Sequence, residues 1–265
     1  MPFYNNNCLS FTYQMGRSFE KTSVKLIGSQ EKYEQKCYNV TMNNPKVKAW
    51  LGLAISIVFI GLALFLCAGT INYWQAWIYL VVVGVSSVLL TLYITKDPVL
   101  LEGRTTLGPF AEQRPIQRVI VLSMGVPAIA AFIIPGLDHR FGWSSVPSWL
   151  SIVGDLLIAV SLWLVYLVFK ENSFGASTVE IVKDQKVIST GPYAVVRNPM
   201  YSCAAIFFVA MAFALGSYWD LIPAVLTILG LVWRLSDEEQ FLAKNLPGYK
   251  EYRAKVRWRL IPGIF

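Results

Sequence analysis

WLGLAISIVFIGLALFLCA, residues Trp50–Ala68, runs from end to end without a charged side chain. Crossing a hydrocarbon core of about 30 Å takes roughly 20 such residues in a helix. The same signature recurs at Tyr73 to Ile94, at Ile116 to Leu137 with Pro127 as a kink site, and at Trp149 to Phe169. A longer apolar stretch, Met200 to Trp233, is broken by Gly216-Ser217-Tyr218-Trp219-Asp220, which reads as the turn of a helical hairpin with two short arms. The expected fold is therefore all-α: a multi-span membrane helical bundle of about six spans. Trp50, Tyr73, Trp74, Trp143, Trp149, Tyr218, Trp219 and Trp233 stand near the span ends, where interfacial aromatic belts form, although core packing explains some of them equally well.

Composition agrees. Of 265 residues, 55% are hydrophobic and only 15% charged, against about 25% charged in a soluble domain, and the mean hydropathy is +0.50. The net charge of +7 could serve nucleic acid or a membrane face, and its distribution decides. Lys46 and Lys48 precede span one. Lys96, Arg104, Arg114 and Arg118 lie between or beside spans two and three, and Lys170, Lys183, Lys186 and Arg197 between four and five. Seven more run from Arg234 to Arg259, after span six. In a six-span topology these fall on one side, with Arg140 alone opposite, which puts both termini in the cytoplasm. The charge is membrane topology, and no nucleic-acid partner is expected.

Cys8, Cys37, Cys67 and Cys203 show no CxxC spacing, and His139 is the sole histidine, so neither a redox pair nor a metal site is expected. Residues 1–45 are polar, without an apolar period or signal-peptide core, and read as a disordered tail. Met42 would make an ordinary start, so the segment before it is expected to contribute little to activity. The Asn39-Val40-Thr41 sequon has no expected role. Residues 46–170 then hold spans one to four, and 171–265 the chemistry.

That last region has two polar clusters. The first is Asp184-Gln-Lys-Val-Ile-Ser-Thr-Gly191-Pro-Tyr-Ala-Val-Val-Arg197-Asn-Pro-Met-Tyr201. Gly191-Pro192 signals a turn, and Pro199 suits a first helical turn. On spacing alone, an ordinary loop with a helix cap would look the same. The second begins as span six ends: Trp233-Arg234-Leu-Ser-Asp-Glu238-Glu239. Arg234 and Glu238 are four apart and share a helix face, as a simple salt bridge would require. Three consecutive acids beside an arginine at a membrane boundary also point to a polar pocket. The basic, aromatic segment Leu246 to Pro262 suits anionic headgroups.

Taken in order, Gly191-Pro-Tyr, Arg197-Asn-Pro-Met-Tyr201, Arg234-x3-Glu238-Glu239-x2-Leu242 and Gly248-Tyr249-x2-Tyr252-x3-Val256 resemble the isoprenylcysteine carboxyl methyltransferase family over residues 170–265. Gly136 to Trp143 and the preceding spans look like its bacterial members, which implies a bacterial inner membrane. The resemblance implies S-adenosyl-L-methionine as methyl donor. It assigns the cofactor to Gln185, Lys186, Val187 and Ile188 in a strand-like stretch, to Tyr193, to Asn198, Pro199, Met200 and Tyr201, and to Glu238. It assigns Arg234 to the substrate carboxylate, with Arg197 and Glu239 as secondary candidates. The family usually has histidine where this chain has Asn198; an amide can donate a similar hydrogen bond but cannot titrate.

Methyl transfer from a sulfonium to a carboxylate needs alignment and exclusion of water, and no general base, because the carboxylate is already ionised. The scarcity of histidine is compatible with that. The implied reaction is carboxyl O-methylation of a lipidated cysteine or other amphiphilic acid. A phospholipid amine, small thiol or isoprenoid is the alternative acceptor, and a non-enzymatic transporter or assembly factor the alternative class. Transporters keep ionisable groups near the midplane; here Asp155 is a rare one within the spans.

Overall fold

A computed structural model of the chain describes residues 44–105, 112, 114–173 and 187–265. Met1–Lys48 forms one unit, of which only the start of the first helix is described, and Ala49–Phe265 forms the other. The expectations on residues 1–41 and on Asp184, Gln185 and Lys186 lie outside the described residues.

Across the described residues the protein is an all-helical membrane bundle. Among them, four helices are long and apolar enough to cross a membrane: α1 (Pro45–Ala68), α2 (Trp74–Ile94), α4 (Pro115–Phe141) and α5 (Ser148–Glu171). A short helix, α3 (Pro98–Thr105), joins α2 to the α4 side. The expected hairpin is present as α6 (Pro199–Ala214) and α7 (Leu221–Asn245). Both arms differ from full spans. α6 has only 16 residues, and α7 runs on past Trp233 to Asn245, through a charged half that ends beyond the apolar zone. A one-turn 3-10 segment, Gly191–Ala194, precedes α6, and α8 (Tyr249–Lys255) follows α7. α4 continues unbroken through Pro127 and Pro135.

Lipid contact explains the surface. Ile55, Leu66 and Val126 are 60%, 72% and 74% exposed, which would destabilise a water-soluble fold but suits acyl chains. Inward faces are small or aromatic. A Cβ added to Gly154 would meet the Ala214 amide nitrogen at 2.5 Å and the Ala210 carbonyl oxygen at 2.8 Å, so α5 and α6 touch backbone to backbone. Gly136 does the same for α4 against Leu64 and Cys67 of α1. Small residues at helix crossings are the usual device for close packing in lipid, where apolar burial between helices provides little drive.

The end of the bundle where α2 begins is pinned by polar contacts. Asp138 accepts hydrogen bonds from the Ser144 amide at 2.8 Å and from the hydroxyls of Ser144 and Ser217. Tyr73 is 1% exposed and donates to the Leu215 carbonyl in the hairpin turn, so it is a core residue and not part of an interfacial belt. His139 stacks on Tyr73 at 4.1 Å. Trp50, Trp74, Trp143, Trp149, Tyr218, Trp219 and Trp233 are all exposed, as a belt requires.

Candidate functional site

At the opposite end, the charged half of α7 meets Glu112, the start of α4 and the start of α6. Three successive acids on α7 point to three different partners, because neighbouring helical positions are about 100° apart.

Asp237 is taken by α4. Arg114 donates to it through both terminal nitrogens, at 2.6 and 2.9 Å, and Gln117 adds a third bond.

Glu239 is taken by the loop before α6. Only 2% exposed, it accepts from Arg197 Nε at 2.8 Å and a terminal nitrogen of Arg197 at 3.2 Å, and from the Asn198 amide at 2.8 Å. Arg259 Nε lies 3.4 Å away. The remaining Arg197 nitrogen donates to the carbonyls of Val256 and Arg257, and the backbone amides of Arg197 and Asn198 donate to the carbonyls of Trp258 and Arg259. Ser202 Oγ donates to the Leu260 carbonyl at 2.6 Å. The side chains of Arg197, Asn198 and Glu239 are consumed in a buried clamp that fastens the chain after α8 to the start of α6. The Asn198 amide donates to Glu239, a contact that needs no titratable ring.

Glu238 turns elsewhere. It accepts the Tyr201 hydroxyl proton at 2.6 Å, and Arg234 Nε donates to the same hydroxyl oxygen at 3.2 Å. The expected Arg234–Glu238 link on one helix face is thus bridged by Tyr201 from α6. Arg234 also pairs with Glu112, which is 2% exposed. Burial raises the Glu238 carboxyl above the usual carboxylate range, opposed by the Tyr201 hydrogen bond and the Arg234 charge.

Tyr193 completes this side. Its hydroxyl accepts from the Asn172 amide at 2.9 Å, and its carbonyl accepts from the Tyr252 hydroxyl at 2.8 Å. Val187 and Tyr193 pack on Leu246, Tyr249 and Tyr252. The tyrosines of α8 therefore face the protein, while Lys250, Arg253 and Lys255 remain exposed. Val187 and Ile188 have irregular backbone, contrary to the strand-like stretch expected. Pro199 is the first residue of α6, as expected, and is buried; Met200 follows it half-buried.

Two residues enter the site that sequence reasoning missed. Arg104, counted only as a topological charge, places its guanidinium over the Phe169 ring at 4.6 Å. It lies within electrostatic range of Tyr193, Tyr201, Glu238 and Arg234, and burial pushes it down to about 10. Glu112 is the other. Neither lies near a motif, and only the helix packing, which joins Glu112 to the sequence-distant Arg234, brings them in. Arg104, Tyr193, Tyr201, Arg234 and Glu238 are each half-buried and keep accessible surface. Side chains that line a recess behave this way, unlike side chains that fill a core.

Chemically, the recess offers an acid with a free oxygen, two guanidiniums, and tyrosine rings as walls. That set suits a polar cationic nucleotide beside an anionic amphiphile. A family model described as phospholipid methyltransferase matches residues 149–247. No curated protein matches the chain significantly. The matched stretch runs from α5 through α7 and contains Tyr193, Tyr201, Arg234 and Glu238. The match supports a membrane methyltransferase.

Proposed function

We propose that the chain transfers a methyl group from S-adenosyl-L-methionine to a lipid-like acceptor, most simply by carboxyl O-methylation of a lipidated cysteine or other amphiphilic acid. The observation that carries this is the Glu238–Tyr201–Arg234 chain of hydrogen bonds in a recess at one end of a membrane bundle.

The residues fit such a cofactor. Glu238 engages Tyr201 through Oε2, which leaves Oε1 to accept from amino or hydroxyl groups of a bound nucleotide. Tyr193 offers a ring against which an adenine could lie. Bound S-adenosylmethionine would supply a methyl carbon activated on a sulfonium. Arg234 steers an acceptor carboxylate, and its ion pair with Glu112 fixes the guanidinium beforehand. Tyr201 holds Arg234 and Glu238 in register, so that donor and acceptor sites stay aligned. Gln185 and Lys186 belong to the same proposal as further cofactor contacts.

The phospholipid description of the matching family favours a second reading, methylation of a phospholipid amine. An ammonium must first lose a proton. Glu238, with its raised affinity for protons, would then be the residue to receive it.

The decisive experiment measures S-adenosylhomocysteine binding to the purified chain beside Glu238→Ala. Wild type should bind and the variant should lose tenfold or more, about 1.4 kcal/mol; a folded wild type that binds nothing refutes both methyl-transfer readings. Labelled methyl donor with lipid extracts then separates the acceptors, since an ester releases its label in base and a methylated amine keeps it. Arg234→Ala should damage acceptor turnover more than cofactor affinity.

A further inference from the structure

We propose that Arg104 is a ligand-binding cation of this recess and that it grips an oxyanion, a carboxylate or a phosphate, carried by one of the two reactants; the inference rests on the methyl-transfer reading above. Four arginines at this end of the bundle hold anions, Arg118 Nε is taken by the Glu112 carbonyl, and Arg253 and Arg257 lie exposed in water. Arg114 holds Asp237, Arg197 and Arg259 hold Glu239, and Arg234 holds Glu112. Arg104 makes no ion pair or side-chain hydrogen bond among the described residues, and its Nε is buried without a partner.

A guanidinium cannot escape that situation by giving up its proton. Even pushed down to about 10, it is cationic at neutral pH. Leaving a buried donor on a charge unmet is expensive, and folds normally match such a group with an acceptor. The guanidinium carbon lies 4.6 Å from the Phe169 ring centroid, a cation–π contact that offsets part of the desolvation. The edge donors are left for something else. Glu238 is within electrostatic range but forms no ion pair with it. A guanidinium over an aromatic ring, with a buried unpartnered Nε and Tyr193, Tyr201 and Glu238 within electrostatic range, is suited to receive a two-oxygen anion.

Two sources carry that chemistry. One is the carboxylate at the amino-acid end of the sulfonium donor. The other is the acceptor's own acid or phosphate.

The test uses the full chain in detergent micelles as wild type, R104Q and R104K. Affinities are measured for S-adenosylhomocysteine and for methylthioadenosine, which keeps the nucleoside thioether and lacks the carboxylate. They are measured also for an S-farnesylated N-acetylcysteine and its uncharged amide, and for a short-chain phosphatidylethanolamine. R104Q should weaken at least one anionic probe by about tenfold or more, the usual weight of a charge-assisted contact, and leave the anion-free counterpart unchanged. Loss confined to S-adenosylhomocysteine puts the anion on the donor; loss confined to the acid or the phospholipid puts it on the acceptor. R104K keeps the charge without the fork, and should show a smaller loss on the same probe, which guards against a folding defect in R104Q. Equal affinity of all three proteins for every probe overturns the proposal, as does equal loss on charged and uncharged probes. A wild type that ignores S-adenosylhomocysteine sinks methyl transfer instead, and the acid-against-amide comparison still judges Arg104.

Discussion

Glu238 and Glu239 are chemically identical neighbours with opposite duties. One faces a recess through Tyr201, the other a clamp through Arg197 and Asn198. Sequence alone could mark the pair as unusual at a membrane boundary, and the family resemblance could rank them. Only the helical turn between them, set against fixed partners on α6, separates their roles. Glu238 also carries a pH signature. To accept from cofactor donors it must be ionised, and burial raises its proton affinity in the empty protein. S-adenosylhomocysteine affinity should therefore fall on acidification, with a midpoint above the ordinary glutamate value of about 4.3. Glu238→Gln should flatten that profile while binding weakly throughout, as calorimetry across pH 5 to 8 would reveal.

At the level of elements, the clamp and the hairpin turn make separate predictions. Removing one partner of a buried ion pair leaves an uncompensated charge and costs about 3–5 kcal/mol. Glu239→Ala, which strands Arg197 and the Asn198 amide, should lower thermal stability by that order and loosen the start of α6. Chemical unfolding in micelles measures it; Lys250→Ala on the exposed face of α8 should leave stability within about 0.5 kcal/mol. The hairpin turn contains Asp220, fully buried, with both carboxyl oxygens unpartnered. Burial holds this carboxyl up at about 8, so the folded protein keeps its proton where the unfolded chain, near 3.9, has released it. Stability must then decline as pH rises from about 4 towards 8. Asp220→Asn should remove that slope, and the difference in unfolding midpoint between variant and wild type should grow from pH 5 to pH 8. The elements themselves were largely legible: spans and turn follow from apolar runs and Gly216-Ser217. The lengths of α6 and α7 were less so, because helical hydrogen bonding continues into the charged half of α7 where hydropathy has already fallen.

For the molecule as a whole, the basic loops converge structurally at one end, where Arg104, Arg114, Arg197 and Arg234 all contribute to the same region. That convergence agrees with the charge asymmetry along the chain, which predicts a cytoplasmic face for the recess. Thiols introduced as Lys250→Cys and Arg140→Cys should label from opposite sides of sealed vesicles. A chain beginning at Met42 should retain methyltransferase activity within about twofold in a labelled-donor assay; a folded but inactive truncation would contradict the reading of the preceding segment as dispensable. What the sequence concealed at this scale is Arg104 and Glu112, since nothing local distinguishes a topological arginine from one drawn inward by packing.

The fastening of residues 256–260 onto Arg197, Asn198 and Ser202 has a consequence for biosynthesis. These residues leave the ribosome after α1 to α8 have been made. A nascent chain can thus have those hydrophobic segments in the membrane while the wall bearing Tyr201 is still unbraced. The order of that wall would then arrive late and abruptly, as a locking step that follows insertion of those segments.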